Sequence, residues 1–128
     1  MMFARAVVFL AGIIYALFGL YGIVYPVDMA SMVSFELGNA HSRVEMRSAF
    51  GLYLCLGAWF VGSAVTAQLI QHSLAALFLS SGGLLLGRII GLIIDGFADG
   101  QPIPAGIFEF SSCILALVAY RRLVQPNA

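Results

Sequence analysis

The stretch Gly82-Gly83-Leu84-Leu85-Leu86-Gly87-Arg88-Ile89-Ile90-Gly91-Leu92-Ile93-Ile94 decides the fold class. It carries one charge in a run otherwise made of glycine and large aliphatic side chains. Widened to residues 73–95, the run exceeds the roughly 20 mostly apolar residues that cross a bilayer as a helix. Three further segments have the same character, at 4–25, 44–69 and 103–122. The fold expected is all-α: an integral membrane four-helix bundle filling one domain over residues 1–128.

Composition agrees. Of the 128 residues, 62% are hydrophobic and 9% charged, against about 25% charged in an ordinary soluble domain. Mean hydropathy is +1.01. The formal net charge is zero, so no basic surface points to nucleic acid. Cys55 and Cys113 fall in separate apolar runs with neither C-x-x-C nor metal-ligand spacing. They read as small packing residues, and no metal is expected. The uncharged run from Ala6 closes on Val24-Tyr25-Pro26 rather than on a small-residue cleavage site, so it reads as a spanning helix and not a signal peptide.

Between the helices the punctuation is clear. Pro26 ends the first helix, because proline disfavours helix at the residue before it. Gln68, Gln71 and His72 mark a tight turn. Asp95-Gly96 and Asp99-Gly100 are turn dipeptides, and Pro102 and Pro104 suit the first turn of the last helix. The long connection, 26–43, holds Met29, Met32 and Val33 at helical spacing, yet extended structure from Met32 to Leu37 fits equally. Ser42-Arg43-Val44-Glu45 fits a capping box. Phe-Gly-Leu-Tyr occurs at 18–21 and again at 50–53; the copies are assigned to different ends of antiparallel helices and not to a repeat.

Arginine placement orients the chain. One side holds the N-terminus, the 68–73 turn and the C-terminus, with Arg5, Arg121 and Arg122 and no acid. The other holds Asp28, Glu36, Glu45, Asp95 and Asp99 against Arg43 and Arg47. Both termini are therefore expected on the cytoplasmic side.

Depth follows from a rise of 1.5 Å per residue. Arg88 lies about 10 Å below Asp95, and Glu109 about 9 Å below the same outer surface. Arginine near a helix centre costs roughly 2.5–3.5 kcal/mol, but the many Leu, Ile and Phe of this helix offset it. Cost alone therefore does not mark a site. Intramembrane charges do pair or line wet cavities, and Glu109 is the evident partner of Arg88. Arg47, Asp95, Glu45 and Tyr53 are expected to join them in a pocket under the outer surface. Each has a plainer reading. The pair can simply fix helix register, Glu45 can cap its helix, and Arg47 can reach the headgroups. Gly83, Gly87 and Gly91 repeat every four residues and suit close helix packing within the bundle, with a homo-oligomer or larger complex as the alternative.

Other features carry less. Asp95 and Asp99 lack the spacing and closing glutamate of an EF-hand. His41 and His72 fall on opposite sides and cannot share a haem. No metalloprotease, nucleophile-elbow or P-loop motif occurs.

Glu45-x-Arg47-x-x-Phe50-Gly51-Leu52-Tyr53-Leu54-x-Leu56-Gly57 resembles the second-helix signature of a bacterial family of small four-helix membrane proteins of unknown function. Arg88-x-x-Gly91-x-x-x-Asp95-Gly96, then proline, then Glu109, resembles its third and fourth helices. That family is similar to the DoxX-like superfamily. The resemblance implies a four-helix bundle, points at Glu45, Arg47, Arg88, Asp95 and Glu109, and links loosely to quinone-side redox systems. It implies no reaction, and the chain has no ligand set for a redox cofactor. The function expected is binding of an amphipathic ligand, a membrane lipid or a quinone. The alternatives are an accessory subunit of a membrane complex and an intramembrane acid–base enzyme.

Overall fold

The computed structural model describes residues 1–96 and 103–125. The expected turn at Asp99-Gly100 and the expected helix start at Pro102 lie outside the described residues. Among the described residues five helices follow one another: α1 Met2–Val24, α2 Pro26–Met32, α3 Ala40–Val65, α4 Ile70–Asp95 and α5 Ile103–Val124. A single 3-10 turn, Ala67–Leu69, joins α3 to α4. All but α2 are long and apolar enough to cross a membrane.

Local chemistry sets the boundaries. Pro26 takes the first turn of α2, where its missing N–H is no loss, and Asp28 beside it suits the positive end of the helix. The connection thus resolves in favour of a short helix. Extended structure over Met32–Leu37 is not formed: Met32 is still helical, and Ser34 takes a left-handed φ of 59°. Helix α3 starts at Ala40, four residues before the expected 44. Asn39 is its cap: the side chain accepts from the Ser42 N–H at 2.9 Å, and Ser42 Oγ accepts from the Asn39 N–H at 3.1 Å. This reciprocal box replaces the expected one between Ser42 and Glu45, because asparagine one turn earlier is a strong N-cap. Arg121 and Arg122 close α5, where cations offset the exposed carbonyls.

Helices α1 and α3 pack closely and antiparallel. A Cβ at Gly12 would lie 2.8 Å from the Val61 nitrogen, and one at Gly19 would lie 2.8 Å from the Phe50 carbonyl oxygen. A Cβ at Gly57 would strike the Ala16 backbone, and one at Gly22 the Phe50 ring. Missing side chains let the two backbones touch, the usual means of helix association where lipid removes the hydrophobic drive. The two Phe-Gly-Leu-Tyr copies meet here, contrary to the assignment to different ends. Phe18 and Phe50 are edge-to-face at 5.1 Å between ring centres. Consecutive antiparallel helices place the end of one beside the start of the next, so both copies share the end where α2 joins α1 to α3.

Helix α4 runs against α5, again antiparallel: Arg88 meets Glu109 and Gln71 meets Tyr120. The buried stripe of α4 is Ile70, Ser73, Leu74, Leu77 and Ser81. That stripe overturns the expectation that Gly83, Gly87 and Gly91 pack inside the chain. A Cβ at any of the three meets no atom within 4 Å. None of the three therefore makes a close contact within the chain.

Buried hydroxyls tie the halves together. Tyr15 on α1 reaches Ser81 on α4 at 3.0 Å. Near the 3-10 turn, Ser73 donates to Ser63 at 2.6 Å, and Ser63 donates to the Phe60 carbonyl at 3.0 Å. At the end holding the chain termini, the Arg122 guanidinium lies 5.2 Å over the Phe3 ring.

These contacts make opposite forecasts for two sets of glycines. Gly19→Ala and Gly57→Ala should lower stability by about 1–3 kcal/mol through overpacking. Gly87→Ala should leave it unchanged or raise it by up to about 1 kcal/mol, since alanine is the better helix former. Thermal unfolding of the three variants in one mild detergent measures the difference.

Candidate functional site

The ion pair forms as expected. Arg88 Nε donates to Glu109 Oε2 at 2.9 Å, and Nη2 donates to Oε1 at 2.8 Å. This is the two-pronged geometry that guanidinium and carboxylate favour. The Glu109 side chain is 7% exposed and that of Arg88 26%. Gly106, one turn before Glu109 on α5, makes the approach possible. A Cβ there would come within 3.2 Å of Arg88 Cδ. The aliphatic stem of Arg88 thus lies over Gly106 while its fork meets the carboxylate.

The pair stands between two recesses. Glu109 lines the first, a cavity of about 410 Å³ shared with Ile14, Tyr15, Phe18, Met32, Tyr53, Leu84, Pro104 and Phe108. Arg88 lines the second, a more open recess of about 310 Å³, with Leu84, Gly91, Leu92 and Asp95. Leu84 is common to both.

The first cavity is mostly apolar and rich in rings. Tyr53 lies 5.4 Å from Tyr15, 5.6 Å from Phe18 and 5.5 Å from Phe50, ring centre to ring centre. Tyr15 also meets Phe60 at 5.6 Å and Phe108 at 6.2 Å. Its hydroxyl is taken by Ser81. The Tyr53 hydroxyl has no hydrogen-bond partner among the described residues. Each carboxylate oxygen of Glu109 accepts one bond from Arg88, which leaves acceptor capacity on both. An apolar cavity with a few convergent polar groups is the usual form of a small-molecule site.

The expected cluster therefore assembles only in part. Arg88, Glu109 and Tyr53 come together around one cavity wall. Asp95 shares the second recess with Arg88 but forms no ion pair among the described residues. Arg47 does not join. Its Nε donates to the Ile23 carbonyl at 3.0 Å, capping the end of α1 from the start of α3. The reason is position: Arg47 is two turns into α3, level with the frayed carbonyls of α1, which attract a cation. Glu45 is exposed, with His41 Nε2 at 4.0 Å as its neighbour. Cys55 is exposed and Cys113 buried, both as free thiols.

Sequence reasoning missed Tyr15, Ser81, Phe108 and Gly106. Tyr15 and Ser81 are ordinary residues of apolar helices until a neighbour is known. Gly106, three residues before the only acid of α5, was the available signal for a bulky charged partner passing over it.

No curated protein and no solved structure shows significant similarity to this chain. A family model described as a domain of unknown function (DUF4345) matches residues 3–120. With nearly all of its length inside that match, the chain belongs to the DUF4345 family.

Proposed function

We propose that this protein binds an amphipathic ligand, a membrane lipid or a quinone, in the cavity faced by Glu109 and Tyr53. The observation that carries this reading is the unspent hydrogen-bonding capacity there. A tyrosine hydroxyl without a partner and a carboxylate with open lone pairs face apolar walls. Both groups line the cavity and can bond to a molecule that enters it. A polar head meets them, and an apolar body fills the rest of the cavity.

The same reading places the protein in the bacterial inner membrane with both termini inside. The end bearing the chain termini carries Arg5, Arg121 and Arg122 and no acid, which suits the cytoplasmic face. The cavity then lies toward the outer side. C-terminal fusions test this: green fluorescent protein should fluoresce and alkaline phosphatase should be inactive. The reverse pattern would overturn the orientation.

One observation favours a second reading, an accessory subunit of a larger membrane complex. The Gly83, Gly87 and Gly91 row faces open space beside exposed Leu86, Ile90 and Ile94. A row of that kind suits close approach by another helix.

Paired substitutions separate a ligand site from a structural pair. Arg88→Ala or Glu109→Gln should destabilise the fold, by about 3–5 kcal/mol where a buried charge loses its partner. The double variant Arg88→Met/Glu109→Leu should recover most of that loss, since apolar replacement of a buried pair is often neutral. If the cavity is a binding site, the double variant folds but releases the lipid or quinone that co-purifies with the native protein. Native mass spectrometry reads the bound mass; equal retention by both proteins would count against the proposal.

A further inference from the structure

We infer that the ligand is a neutral lipid with one long acyl chain, and that its chain lies in a groove between α1 and α5. This rests on the cavity at Glu109 and Tyr53 being a binding site. The supporting observation is a second apolar cavity, of about 390 Å³, beyond the first. It is lined by Phe3, Leu10 and Ile14 of α1, Leu77 of α4, and Phe108 and Leu115 of α5, among others. Ile14 and Phe108 belong to both cavities. The two spaces therefore follow one another along the same pair of helices.

Together they trace α1 from Phe18 to Phe3, about 22 Å at 1.5 Å per residue. That is most of the roughly 30 Å hydrocarbon core. Because the cavities lie end to end and not side by side, there is room for one chain. The end near Glu109 and Tyr53 offers a carboxylate and a phenol; the far cavity holds a single serine hydroxyl, Ser112, among apolar side chains. The head belongs at the first end and the tail at the second.

Charge selects the head. The Arg88 cation is already held by Glu109 through two bonds, so the pair contributes no net charge. An anionic head would meet a carboxylate whose cation is spent. A hydroxyl head donates to Glu109 and accepts from Tyr53 without introducing a charge. The bilayer is the source. Leu10 at the groove is 61% exposed, and Ile14 and Leu115 are also exposed on the lipid-facing surface. A lipid can thus enter sideways with its chain already in hydrocarbon.

Photolabelling of the purified full chain in nanodiscs tests this with two monoacylglycerol probes. One carries a diazirine at the end of a palmitoyl chain, the other beside the head. The chain-end probe should label peptides around Phe3–Leu10 and Leu115, and the head probe those around Phe18 and Ala105. Leu10→Trp, and separately Leu115→Trp, should cut chain-end labelling of the groove about tenfold. Both leave head labelling within about twofold. Both positions are exposed in the fold, and two variants from opposite walls guard against one failing to fold.

Chain-end label spread evenly over α4, with head labelling intact, overturns the groove and leaves the head site standing. No head labelling around Phe18 and Ala105 overturns the site itself. Stronger displacement by an isoprenoid quinol, or by palmitate, than by unlabelled monopalmitoylglycerol overturns the assigned occupant.

Discussion

An arginine in an apolar helix must find an anion or water, and Arg88 finds Glu109. Much of the half of the molecule away from the chain termini is arranged around that requirement. The pair fixes the register of α4 on α5, since a shift of one residue on either helix would turn one partner away. Gly106 favours it, because a Cβ there would press on the Arg88 stem at 3.2 Å. The pair also forms the partition between an apolar, ring-lined cavity and a more polar recess ending at Asp95. Breaking one half would leave a charge in a poor environment, which is why such pairs specify geometry more than they add stability.

The other structural constraint is the contact of α1 with α3. Gly12, Gly19, Gly22 and Gly57 let backbone meet backbone, and the aromatic residues between them complete the seam. Phe18, Phe50 and Tyr53 pack as a cluster at the loop end. This seam brings Tyr53 and Tyr15 to the same cavity wall. The α1–α3 half thus supplies most of the rings, with Phe108 of α5 beside them, and the ion-paired half supplies the charge. The space between them is what the looser fit of α1 against α5 leaves open.

Spanning helices and the ion pair were legible in the sequence because both follow from a cost. Long apolar runs have few alternatives in a bilayer, and one arginine opposite one glutamate at matching depth has few partners. What failed had no such exclusivity. Gly83, Gly87 and Gly91 form a cleaner row than Gly12, Gly19 and Gly22, yet the less regular set makes the contact. Spacing says which residues share a face; it does not say which face meets a neighbour. Depth and the family resemblance both point Arg47 and Glu45 at the pocket, but neither tells a pocket from the carbonyl end of the adjoining helix. The Phe-Gly-Leu-Tyr copies show the same limit. Their meeting depends on the connection through α2 folding α3 back along α1, and α3 begins at Ala40, before its long apolar run.

The neutrality of the pair bears most directly on function. A free guanidinium facing a cavity would draw phosphates and carboxylates from any lipid nearby. A bidentate carboxylate removes that attraction while keeping polar lone pairs at the cavity wall. The site is then polar without being charged, and its selectivity has to come from hydrogen-bond complementarity and shape. Those are the terms on which sites reject ligands lacking the matching polar group, because an unmatched buried group is left without a partner. On the proposed reading, in a membrane crowded with charged headgroups, a pocket closed to anions by its own internal acid would be a means of finding an uncharged lipid among them.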